Sequence, residues 1–101
     1  MREPSSPAAH IFGTRVRRAR LDLGLSQENV AELAQIHVTN FGKIERGACN
    51  PSLLTLVRIA SVLGTDVATL TAGIAGDHLP EAYRVLGAAE FIRERDYRRR
   101  S

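Results

Sequence analysis

The chain has 101 residues, 44% of them apolar and 25% charged, with a formal net charge of +3. That length admits one domain with a tail. With 5% aromatic residues and no Trp, a core must rest on Leu, Val, Ile and Ala. No apolar run approaches the roughly 20 residues needed to cross a bilayer, and the polar, Pro-containing start Met1–His10 does not read as a secretory leader. Cys49 is the only cysteine, which excludes an intramolecular disulfide and fits a reducing cytoplasm.

Charge is unevenly spread. Residues 1–65 carry eight basic and five acidic side chains, whereas residues 66–101 carry six of each. Lys43 is the single Lys; every other cation is Arg, the side chain suited to forked contacts with phosphate and guanine.

Residues 1–10, MREPSSPAAH, lack periodicity and read as a flexible arm, with Arg2 available to reach DNA. A first helix is expected from about Ile11 to Leu23, on an apolar stripe of Phe12, Val16, Ala19 and Leu23. Arg20 sits on the border of that stripe and therefore needs a partner. Gly24 stops the helix. Ser26 caps a second helix, with Val30, Leu33 and Ala34 facing inward. Asn29 at the third position makes this a cap but not a full capping box.

A third helix is expected over Val38–Arg46. At 100° per residue, His37, Phe41, Ile44 and Glu45 share one side, and Thr39, Gly42, Lys43 and Arg46 the other. Gly42 costs a helix interior about 1 kcal/mol relative to Ala, and an outward glycine permits close approach of another surface. Gly47 ends this helix. Asn50-Pro51-Ser52 opens a fourth, with Leu53, Leu56, Val57, Ala60 and Leu63 apolar, and Gly64 ends it. Asp66 caps a short fifth helix whose Val67, Leu70 and Ile74 close the core. These elements predict an all-α fold, a five-helix bundle over residues 11–75. Residues 76–101 form an extension, with a sixth helix from Pro80 to about Tyr97 and a basic end.

The segments LGLSQENVAELA, FGKIERG and NPSLLTLVRIASVLGTDVATL together resemble the phage-repressor/Cro type of helix-turn-helix, also called the xenobiotic-response-element family. The resemblance covers about Phe12 to Ile74. It implies a lambda-repressor-like fold and a sequence-specific DNA-binding transcriptional regulator, a dimeric repressor on a palindrome of double-stranded DNA. It implies base readout by Val38, Thr39, Asn40, Gly42 and Lys43, and phosphate contacts from Gln27, His37 and Arg46. Arg20 and Glu45 match positions that pair in some members. Three positions depart from the family pattern: His37 stands at the cap of the third helix, where Ser or Thr is preferred, Gln35 replaces the usual turn Gly, and Thr71 stands where an aromatic is common.

No Gly-rich phosphate loop, Cys/His cluster or nucleophile–base arrangement is present, so the chain reads as a binding protein without cofactor or metal, not as an enzyme. The rival reading is an interaction module, an antitoxin or bridging adaptor that binds a protein partner through residues 76–101.

Overall fold

The computed structural model describes residues 5–100. They form α1 (Pro7–Asp22), α2 (Gln27–Ala34), α3 (Val38–Glu45), α4 (Leu53–Val62), α5 (Val67–Thr71) and α6 (Ala88–Arg100), with 3-10 turns at Gly76–His78 and Glu81–Tyr83. No strand occurs among the described residues.

The first helix starts earlier than Ile11. Ser6 is its N-cap, accepting from the Ala9 N–H at 2.9 Å, and Pro7 takes the first helical position, where a missing N–H costs nothing. Ser6 and Ala9 are buried, and the Ser5 N–H donates to the Gly47 carbonyl at 2.6 Å. Residues 5–10 are therefore part of the bundle and not of a flexible arm. Met1–Pro4, with Arg2, lie outside the described residues.

Phe41, Ile59, Val16 and Val30, from four helices, are the largest fully buried side chains. Burial of each is worth about 1.5–3 kcal/mol. Two close approaches hold α3 in place. A Cβ on Gly13 would run into the Ile44 carbonyl oxygen and lie 2.6 Å from that of Glu45, so a glycine lets α1 rest on the last turn of α3. Gly47 has φ +71°, and a Cβ there would lie 2.7 Å from the His10 Cα. Both the positive φ and the contact demand glycine.

Several apolar positions fall elsewhere than periodicity predicts. Leu33 is 64% exposed, Leu53 70%, Val57 49% and Leu23 53%. Ala31 on α2 and Ile59 on α4 are buried instead. Helices of eight to ten residues are covered only where a neighbour crosses them, so the buried stripe is narrower than the apolar one. α5 ends at Thr71, earlier than Ile74. Arg15 Nη1 donates to the carbonyls of Leu70 at 3.2 Å and Ala72 at 2.7 Å, satisfying the orphan acceptors of that end, and Ile74 packs back on the core.

The extension also differs. Pro80 opens a 3-10 turn, and the helix begins only at Ala88, behind Gly87. Leu79 is half-buried, but Tyr83 and Leu86 are exposed, and a stripe with so little cover does not sustain a helix. From residue 81 to 100 every residue but Asp96 is exposed. The radius of gyration is 17.5 Å, against about 13 Å for a compact chain of this length, because α6 projects from the bundle.

Candidate nucleic-acid interface

α2 and α3 are joined by Gln35, Ile36 and His37. Gln35 takes the left-handed conformation, φ 58° and ψ 43°, the one non-Gly residue with positive φ among those described. Departure from the usual glycine therefore leaves the turn's backbone in the region glycine favours, with strain on Gln35. The Ile36 N–H reaches back to the Ala31 carbonyl at 2.8 Å, closing α2, and Ile36 packs on the core.

Both helices of the pair are capped. Ser26 accepts from the Asn29 N–H, and Asn29 Oδ1 accepts from the Ser26 N–H, each at 3.0 Å. This is a full capping box, contrary to the expectation from Asn29: a carboxamide oxygen accepts as the usual Glu or Gln does, on a shorter stem. His37 caps α3, its Nδ1 accepting from the Thr39 N–H at 3.2 Å. An accepting Nδ1 leaves the neutral ring's hydrogen on Nε2 as a donor.

Beneath the pair lies a buried ionic network. Arg20 Nε and Nη2 fork onto Glu45 Oε2 at 2.6 Å and Oε1 at 3.0 Å, and Arg20 Nη1 donates to the Leu25 carbonyl at 2.9 Å. The side chains are 9% and 2% exposed. The hydrogen bond to Glu45 raises the Arg20 pKa above its ordinary value, against the desolvation that would lower it. Gln27 Nε2 donates to the same Glu45 Oε1 at 2.8 Å. One carboxylate thus ties α1, the start of α2 and the end of α3 together. Nothing in the periodicity signals the Gln27 link, since 18 residues separate the partners.

The remaining named residues divide by position. Thr39, Asn40, His37 and Arg46 are exposed, Lys43 half-buried. Val38 is half-buried and packs on the core. Gly42 is buried, not open: a Cβ there would lie 3.1 Å from Arg46 Nη1 and 3.8 Å from Gln27 Oε1, so those two side chains cover it. Cys49 is a free, half-buried thiol. Burial pushes its pKa up, with the Lys43 charge acting the other way, so the reactive thiolate is disfavoured. Among the described residues no group of His, Cys, Asp and Glu could hold a metal, and no helix is long and apolar enough to cross a membrane.

The chain is similar to three known proteins. The HTH-type transcriptional regulator DdrOP3 of Deinococcus deserti is 42% identical over 60 residues, 59% of this chain and 46% of its own length. The SPbeta prophage-derived HTH-type transcriptional regulator YonR of Bacillus subtilis is 33% identical over 63 residues, 62% of this chain and 58% of its own. The chain thus spans about half the length of these two relatives. SinR, the master regulator for biofilm formation, solved in complex with DNA, aligns with a TM-score of 0.56 at 33% identity, over 58% of this chain and 95% of the solved SinR chain. A capped two-helix unit held by one buried carboxylate, together with a match of residues 11–72 to the family model described as a helix-turn-helix domain, shows that the chain belongs to the helix-turn-helix domain family.

Proposed function

We propose that the protein is a sequence-specific DNA-binding transcriptional regulator. The observation that carries this is the outer face of α3. Thr39, Asn40, Lys43 and Arg46 project from a helix whose inner face is bolted to α1 and α2, and Gln27 and His37 border it. A helix of about 10–12 Å diameter fits the major groove, about 12 Å wide. Flanking donors contact phosphate and central side chains reach base edges. The likeness to SinR, solved with DNA, supports the same reading.

In its finer form the regulator is a cytoplasmic homodimeric repressor on a palindromic operator, with recognition helices about one DNA turn, roughly 34 Å, apart. Val38 and Thr39 meet thymine methyls or base edges, Lys43 donates to guanine, and Gln27, His37 and Arg46 contact phosphate.

Selection of bound duplexes from a random library at about 150 mM salt tests this, because general phosphate binding weakens steeply with salt while base readout persists. Enrichment of a palindrome with half-sites about 10 bp apart supports the dimeric regulator. Retention without enrichment refutes it.

One observation favours a second reading, in which residues 76–101 bind a partner protein. Phe91 is 53% and Ile92 44% exposed on α6, which no part of the bundle covers. Deleting residues 76–101 would then abolish partner binding while DNA affinity of the single chain persists.

A further inference from the structure

We infer that α6 is a second DNA contact, one that grips phosphates beside the site α3 occupies. The inference rests on the DNA-binding reading above. α6 carries five Arg against three carboxylates, Glu90, Glu94 and Asp96, and the charge is sorted along it: Glu90 lies in the first turn, Arg98, Arg99 and Arg100 in the last. At 100° per residue, Arg95, Arg98 and Arg99 share the side of Phe91. With Phe91 and Glu94 they line a shallow hollow of about 270 Å³. Three guanidiniums against one carboxylate leave that face with two positive charges in excess.

The bundle supplies no counter-charge. Arg95 meets its neighbour Asp96 at 3.3 Å, with both side chains exposed, and such a pair is worth little in water. Arg99 enters no hydrogen bond or ion pair among the described residues. Planar guanidiniums spaced along one exposed face match a row of phosphate oxygens, each able to accept a forked pair of bonds. Reach is adequate. Residues 72–87 join α5 to α6, and at about 3.3 Å per extended residue they can span roughly 50 Å, beyond the 29 and 20 Å of the molecule's two shorter extents. Once α3 is seated, the tether makes the second contact intramolecular, so weak phosphate binding by α6 adds to the affinity of the whole chain. Phosphate contacts carry no sequence information, so α6 sets affinity and leaves base preference to α3.

The experiment measures affinity against salt for the wild-type chain, on the duplex it selects and on an unrelated duplex. The comparison is the triple variant Arg95→Gln, Arg98→Gln and Arg99→Gln, which removes charge while keeping helix propensity. Far-UV circular dichroism and sedimentation check its fold and oligomeric state. The slope of log K against log salt should become shallower by about 0.9 for each phosphate released, two to three per chain, on both duplexes alike. The selected sequence should not change. The same three positions as Lys should keep the wild-type slope, since a point charge suffices at phosphate. If the Gln variant keeps the wild-type slope and affinity, the inference falls alone. It also falls alone if affinity drops at unchanged slope together with self-association, which would make α6 a protein contact. If the wild-type chain enriches no sequence but the Gln variant still flattens the slope on the unrelated duplex, the regulator reading falls and this one stands. If the wild-type chain binds no duplex, both fall together.

Discussion

Replacing one member of the Arg20–Glu45 pair should be far more damaging than replacing both. Glu45→Met leaves a guanidinium buried at a side-chain exposure of 9%, with only the Leu25 carbonyl to meet it, and releases Gln27 from its acceptor. Arg20→Met strands the carboxylate at 2% exposure, with Gln27 as its one remaining side-chain donor. Each single change should cost about 3–5 kcal/mol, a large share of the roughly 5–15 kcal/mol that holds a small domain folded. At about 4–8 °C per kcal/mol for a domain of this size, the melting temperature should fall by roughly 12–40 °C. In the double variant no charge is buried. What remains are an unpaired Leu25 carbonyl and a freed Gln27 amide, together about 1–3 kcal/mol. The coupling should therefore be several kcal/mol and opposite in sign to the single losses. Urea titration followed by far-UV circular dichroism of the wild type, both singles and the double closes the cycle. Additive losses, or single variants that lose less than about 1 kcal/mol, would show that the pair is effectively solvated and refute the reasoning.

Four further outcomes follow from the geometry. Gln35→Gly should raise stability by up to about 1 kcal/mol, because glycine relieves the left-handed strain while adding some unfolded-chain entropy; a loss in the same titration contradicts this. Gly13→Ala and Gly42→Ala should act in opposite directions. The first drives a Cβ into α3 backbone and should cost about 1–3 kcal/mol or more. The second meets only the flexible end of Arg46 and should gain up to about 1 kcal/mol of helix propensity; equal melting shifts would show that glycine burial does not distinguish them. Lys43→Ala should lose about 1–3 kcal/mol of discrimination at one base pair in a binding series on single-substituted duplexes; a uniform loss on all duplexes makes it a phosphate contact. Hydrogen bonds from Thr69, chiefly its backbone N–H, hold the Asp66 carboxyl below its ordinary value of 3.8. A depressed pKa contributes stability above the unfolded value, which is lost as pH falls through the folded one. Acid unfolding should therefore be less steep below that value for Asp66→Asn, which keeps a cap acceptor without a charge, than for the wild type; identical profiles rule out a role for the cap.

Local signals in the sequence determined the order of elements, because they act within a few residues. Ser26, Ser52 and Asp66 each accept from the N–H three residues on, so a short polar residue ahead of an apolar stripe was enough to place three helix starts. Arg20's need for a partner was equally legible from its place on the border of a stripe. The start at Pro7 was legible too, in the Ser-Pro pair of residues 6 and 7, but lies outside the apolar periodicity that marks the rest of α1. What tertiary structure alone decided are matters of which neighbour covers which face. Leu33, Leu53 and Val57 are apolar in sequence yet exposed, while Ile59 lies at the centre. Glu45 meets Arg20 and Gln27 across gaps of 25 and 18 residues, which no periodicity encodes. Gly42 reads as an outward vacancy, and only the fold shows that Arg46 and Gln27 lie across it. α6 likewise carries a helix pattern, but a helix without a crossing neighbour has no buried face, and no property of residues 88–100 taken alone specifies what should cover them.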